Sequence, residues 1–399
     1  MKKIILSLAS KLFYKPLFVR YCSQTIYQVL IGCIRLYEAT NKDIWLKRAH
    51  RVCIILVSTQ QEDGGFDIGY EFNFGLLHKK GESTSPELVG LSALVRYYKI
   101  SGNQIAAEAA HKAANWIKNN AVKVDQNKWM IPYAPRTINQ VMVYNGTSFA
   151  VGALGEYLSV FPDVELDVIY HGMVVYLESV MSSDQHGLGK FWFYSDQMRD
   201  DLSEEALNKI DYYHQMQQVE AHCESQFVKP TDEQRRIIAS ASIHVSSKQE
   251  DDGKIPYLNK RTDIHLWGYC SCASGFLLAG KVVEDMNEEF RNRARLIYAW
   301  IEKYSWNGKY FFPIVSHRNQ IVDNSFYVRS DAWVFNSFAL AVKENIEYDK
   351  YYSICELSYQ AMSAADFSGP ENHASNRSKR LYIYVLNSLG KIKRTLWRK

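Results

Sequence analysis

An apolar helix, a short polar turn, a second and more charged helix, then a polar connection ending on an aromatic or apolar residue: the 399-residue chain passes through this unit six times. The first pass is TIYQVLIGCIRLYEATNKDIWLKRAHRVCIILVSTQQEDGGF and the second begins TSPELVGLSALVRYYKISGN. Later passes start at NGTSFAVGALGEYL, DYYHQMQQVEAHCE, HLWGYCSCASGFLLAG and RSDAWVFNSFALAV. The residues closing the connections, Phe66, Trp129, Phe191, Ile255 and Tyr310, stand 63, 62, 64 and 55 residues apart. A steady period built from helix pairs describes a closed or stacked helical array. QQEDGGF (Gln60–Phe66) and KQEDDGKIPY (Lys248–Tyr257) are then two copies of one connection. Their glycines permit a tight reversal, and their acids are expected to solvate it.

The two helices of each pair differ. The first is apolar nearly all round and rich in small residues, as in GTSFAVGALGEYL, which suits burial on both sides. The second carries charge along one face, as in EEFRNRARLIYAWIEK, which suits an outer layer. The expected fold is all-α: an (α/α)6 toroid of six helical hairpins, with inner and outer helix rings, over residues 21–370. A basic amphipathic segment (1–20) and a basic tail (371–399) flank it.

The net charge is +4, too small a surplus for a nucleic-acid binder. Residues 1–20 and 375–399 carry cations and no acid, so the body between them is net acidic. Such ends suit peripheral contact with an anionic membrane surface, or are solvated tails. The apolar stretch Ile264–Val283 contains His265 and Lys281 and is expected to be a buried helix, not a span. Seven irregularly spaced cysteines form neither a disulfide framework nor a metal motif, so reduced thiols, no metal and no cofactor are expected.

Six helical hairpins closed by QxDGGF-type turns resemble the six-hairpin glycosidase-type superfamily. Its members include glycoside hydrolases, unsaturated-glucuronyl hydrolases, polysaccharide lyases with toroidal domains and glucuronyl C5-epimerases. The resemblance spans roughly residues 20–370 and implies a sugar site at one mouth of the ring. It also suggests, by analogy, a cytoplasmic, membrane-peripheral protein of bacterial capsule or exopolysaccharide assembly.

The connections at that mouth carry Trp129, Tyr133, Trp192, Tyr194, Tyr257, Trp267, Tyr310 and Trp333. Aromatic faces stack on sugar rings while polar groups fix the hydroxyls; packing over the helix ends is the better account of any single one, whereas the set favours a stacking groove. In DYYHQMQQVEAHCE, Asp211 and His214 lie three apart, with Gln215 next to them. A buried Asp, His and Gln at a helix start need partners or a polar ligand. They form a candidate acid/base pair, or an N-cap and a wall histidine. DxxH helix starts also occur in the resembling proteins. YVRSDAW adds Tyr327, Arg329, Asp331 and Trp333, where Arg329 suits a uronate carboxylate and Asp331 is a candidate catalytic acid/base or a cap. RTDIHLW adds Arg261, Asp263, His265 and Trp267, and PYAPRTINQVMVYNG adds Tyr133, Arg136, Tyr144 and Asn145. In KKGESTSPE, Ser83, Thr84 or Ser85 is expected to cap the helix, and that capping role alone is enough to account for Glu87.

Three arginines (Arg136, Arg261, Arg329) at one mouth point to an acidic oligosaccharide or polysaccharide. Hydrolysis needs two carboxylates across the bond, whereas a His or Tyr base beside an Arg-neutralised carboxylate suits elimination or C5 epimerisation. The competing readings are a non-catalytic glycan-binding or scaffold protein and a terpenoid-cyclase-like toroid. A DxDD-type acidic box is missing from the sequence, which counts against the latter.

Overall fold

Twelve α-helices follow one another in six antiparallel pairs, in a computed structural model that describes residues 23–69, 81–134, 142–196, 209–260 and 262–365, with the backbone of 72–73 and 77–78. The pairs are α1 (Ser23–Thr40) with α2 (Asp43–Ser58), α3 (Val89–Ser101) with α4 (Gln104–Asn120), and α5 (Tyr144–Leu158) with α6 (Val164–Ser179). They continue with α7 (Tyr212–Val228) and α8 (Asp232–Ser246), α9 (Leu266–Val282) and α10 (Asn287–Ser305), and α11 (Val328–Lys343) and α12 (Tyr348–Ala364). Each odd-numbered helix packs on the next, and α11 packs back on α1, closing the ring. The odd helices are buried almost continuously: every residue of α5 from Tyr144 to Tyr157 is buried. The even helices bury one stripe, such as Phe290, Ala294, Ile297 and Ile301 of α10. Small residues set the inner spacing, since a Cβ on Gly152 or Gly155 of α5 would press into Ala221 or Ser225 of α7. The two flanking basic segments and the positions of Arg136 and Arg261 lie outside the described residues. Among the described residues no helix is long and apolar enough to cross a membrane, and α9, the most apolar stretch, is an inner-ring helix.

The repeated connection has a specific architecture. Gln60 Nε2 donates to Gly64 O and to Ala109 O of α4, both at 2.8 Å. Gln249 Nε2 donates to Gly253 O and to Arg293 O of α10, both at 3.1 Å. In each copy a glutamine clips its own turn to the next outer helix. Gly64 (φ +92°) and Gly253 (φ +96°) hold the left-handed conformation that glycine alone adopts without strain. The expectation that the acids merely solvate the turn is corrected for Asp63. Its Oδ1 accepts from Gly65 N (3.0 Å) and Ser83 Oγ (2.6 Å), and its Oδ2 from Trp116 Nε1 (3.0 Å).

Candidate active-site cleft

The inner helices begin at one end of the ring, and their first turns enclose a cleft of about 280 Å3. Polar residues at helical spacing continue inward along each bore-facing stripe. These are Gln24, Gln28 and Arg35 on α1, Asn145 and Glu156 on α5, His214, Gln217 and Glu224 on α7, and Arg329 and Asn336 on α11. Farther along the bore a part-buried charge network crosses the axis. Arg35 meets Glu224 at 2.7 Å and Glu220 at 3.6 Å, and donates to Asn336 Oδ1 at 2.8 Å. Arg96 of α3 meets Glu156 at 2.9 Å and also pairs with Glu224.

His214 stands on the cleft wall. Asp211 is the N-cap of α7: its Oδ1 accepts the backbone N–H of His214 at 3.0 Å, and its Oδ2 lies 2.6 Å from His214 Nδ1. That contact fixes the proton on Nδ1 and leaves Nε2 as the ring nitrogen for the cleft. Tyr194 packs edge-on to the imidazole with ring centroids 5.5 Å apart, and Trp267 packs at 5.7 Å. Asp211 itself is 1% exposed and acts through the ring. A second imidazole, His265, lines the same cleft, packed against Tyr257 at 5.5 Å. Burial lowers its pKa, against the opposing pull of Asp263 and Asp211, so it is neutral at pH 7.

Arg329 also lines the cleft, its guanidinium 5.9 Å from the Trp267 ring centre. Tyr133, Tyr327 and Trp333 also line the cleft. Asp323 is the one carboxylate among the described lining residues.

Other candidates lie behind the wall. Trp192 is fully buried and donates from Nε1 to Leu177 O at 2.9 Å. Gln215 holds the Trp192 backbone with two bonds, Nε2 to O at 2.6 Å and Oε1 from N at 3.0 Å, so the pair docks the segment around Trp192 onto α7. Tyr144 packs on Tyr176 and does not line the cleft. Asp331 is buried in the wall, where its Oδ1 accepts from Phe311 N at 3.1 Å and burial pushes its carboxyl well above the usual range. Asp263 acts on the cleft through His265 and is not among the lining residues.

Gln24, Tyr27 and Gln217 escaped the sequence reading although all three line the cleft. Their signal was the run of polar residues along the apolar inner helices. The capping account of Glu87 is also corrected. The Thr84 side chain makes no cap bond, and Glu87 instead bridges to α1, taking Gln24 Nε2 at 2.6 Å and pairing with Ser23 Oγ. Burial raises its pKa to about 8, against the lowering effect of those two bonds and of Arg329.

The same ring is found in solved structures of carbohydrate enzymes. Cellobiose 2-epimerase from Bacillus thermoamylovorans superposes with a TM-score of 0.59 at 14% identity, over 82% of this chain and 92% of that one. The chain adopts the (α/α)6 toroid fold. A glycoside hydrolase of family 105 from C. acetobutylicum matches the toroid at TM-score 0.58 and 14% identity, covering 84% and 95% of the two chains. An inactive α-1,6-mannanase variant from Salegentibacter, in complex with α-1,6-mannotriose, matches the toroid at 0.57 and 12% identity, over 84% and 97%. No family model matches the sequence, and no curated protein does.

Proposed function

We propose that the protein is a carbohydrate-active enzyme that moves a proton at a sugar carbon, by epimerisation or elimination, on a uronate-containing saccharide. The observation carrying this reading is the Asp211–His214 pair, set against aromatic rings in the mouth of the toroid. The catalytic base is His214 Nε2, with Asp211 holding the tautomer and balancing the charge that the ring gains. Removal of the C5 proton of a uronate leaves an enolate-like carboxylate, which Arg329 offsets. Return of a proton from water to the other face of C5 gives the epimer. Loss of the group at C4 gives the unsaturated sugar. Hydrolysis is disfavoured because it uses two carboxylates across the bond, and Asp323 is the one carboxylate among the described lining residues. The similar structures include an epimerase, glycoside hydrolases and a polysaccharide lyase, which supports the carbohydrate class.

An acidic bacterial polysaccharide or its lipid-linked precursor is the substrate we favour. In that setting the basic ends of the chain rest on the cytoplasmic membrane surface. The test is NMR in D2O of uronate-containing oligosaccharides with the wild type and with His214→Ala. Deuterium at C5, with or without a new alkene signal, is expected from the wild type alone. New reducing ends without either signal mean hydrolysis. Binding without turnover means a glycan-binding protein.

A further inference from the structure

The floor of the cleft holds polar atoms that the protein itself leaves unanswered. Gln24 Oε1, Asn145 Oδ1, Gln217 Nε2 and Trp333 Nε1 are buried without a hydrogen-bond partner. Their side chains are deeply enclosed, with the residues 6%, 4%, 2% and 7% exposed, and all four line the cleft. They come from α1, α5, α7 and α11, so closure of the ring gathers them. Single buried polar groups without partners are costly and uncommon. Four around one cavity describe the complement of a ligand.

We propose that these four groups form a subsite that reads the hydroxyls of an uncharged sugar ring. Two of them accept and two donate. An alcohol is one donor and two acceptors, so adjacent ring hydroxyls answer both kinds. A carboxylate or phosphate accepts alone, and here it would face the Gln24 and Asn145 oxygens. The inference rests on the carbohydrate reading and narrows it: the neutral edge of a sugar lies on the floor, and any carboxylate points towards Arg329.

Glu87 sets the orientation of Gln24. Its Oε1 takes Gln24 Nε2 at 2.6 Å, which turns the amide oxygen to the cleft. Its Oε2 meets Ser23 Oγ, and Ser23 donates to Asp67 O at 2.8 Å. A serine has one proton to give. A neutral Glu87, donating from Oε2 to Ser23 and accepting at Oε1 from Gln24, therefore satisfies every member of the chain. The raised pKa of Glu87 agrees with that state.

The test is titration of the full-length protein with D-mannose, cellobiose, α-1,6-mannotriose and glucuronic acid, by calorimetry and by 15N NMR of side-chain amides. A neutral probe is expected to shift the Gln217 side-chain amide resonance of the wild type. Gln217→Leu and Asn145→Leu should each weaken that probe about tenfold. Should a variant fail to fold, as judged by circular dichroism, the wild-type resonance decides alone. A neutral probe that shifts the Trp267 indole resonance, leaves that of Gln217 in place and binds both variants as tightly overturns the subsite while the carbohydrate reading stands. Tighter binding of glucuronic acid, with the larger shift at Gln217, overturns its neutrality. If none of the four sugars shifts any cleft resonance, the carbohydrate reading falls and takes the subsite with it.

Discussion

The Asp211 carboxylate serves His214 twice, taking its backbone N–H at 3.0 Å and its ring Nδ1 at 2.6 Å. One side chain caps α7 and aims the proposed base. Asp211→Asn separates these roles, because an Asn side chain still caps a helix but carries no charge to hold the imidazole. Turnover is expected to fall about 100-fold, while the melting temperature moves by roughly 3 °C or less. Melting curves measured beside rates check this, and full activity in the Asn variant would remove Asp211 from the mechanism.

Glu87 ties stability to pH. Its carboxyl rises from 4.5 to about 8 on folding, largely through burial. Between those values the folded state binds the proton and the unfolded state does not, so this group's contribution is complete below pH 4.5 and is lost as pH rises to about 8. Urea unfolding between pH 5 and 9 should show that decline. Glu87→Gln, which remains neutral throughout, should flatten it, and an unchanged slope in the variant would contradict the assignment.

The repeated connection can be tested at its glycines. Gly64→Ala and Gly253→Ala place a Cβ against the backbone of Lys112 and Leu296 at φ values of +92° and +96°. Each is expected to cost about 2–3 kcal/mol of unfolding free energy. Gly102→Ala, at φ +67° with open space around it, carries the backbone strain alone and should cost about 1 kcal/mol. Equal losses at all three sites would mean that the approach to the outer helix is not what the turn requires.

Arg35 holds two glutamates in the bore. Arg35→Met takes that partner from Glu220, while Glu224 keeps Arg96; the glutamates are 15–17% exposed, so the expected loss is about 2 kcal/mol, below the value for a fully buried pair. Adding Glu220→Gln should restore part of the loss. Denaturant midpoints for the single and double variants measure the coupling, and strict additivity would show that the network is not a unit.

The fold was legible because it is written locally. Hairpin length, small-residue inner helices and one-sided outer helices each follow from a stretch of fewer than about fifty residues. The cleft was legible where a helix start carried a conspicuous polar cluster, as at His214 and Arg329. Gln215 and Asp331 share that signature yet face the wall, since proximity to a helix start leaves the direction of the side chain open. Gln24 and Gln217 had the opposite problem. Each looks like an incidental polar residue within a helix, and its role appears only when α1, α5, α7 and α11 are brought round one axis. Glu87 satisfied a local capping rule, while its actual partners, Ser23 and Gln24, lie 64 and 63 residues earlier.

The contact of α11 with α1 has a consequence for biosynthesis. Arg35 reaches Asn336 across 301 residues of chain, whereas each hairpin is complete within a few dozen. On the ribosome, hairpins can assemble in order of emergence, but the first inner helix keeps one flank bare until the sixth hairpin arrives. Gln24 and Trp333 face the same space only after that moment. The nascent protein is therefore expected to gain its binding site in a single late step, and a chain released before the last hairpin should be a chaperone client with an exposed apolar seam.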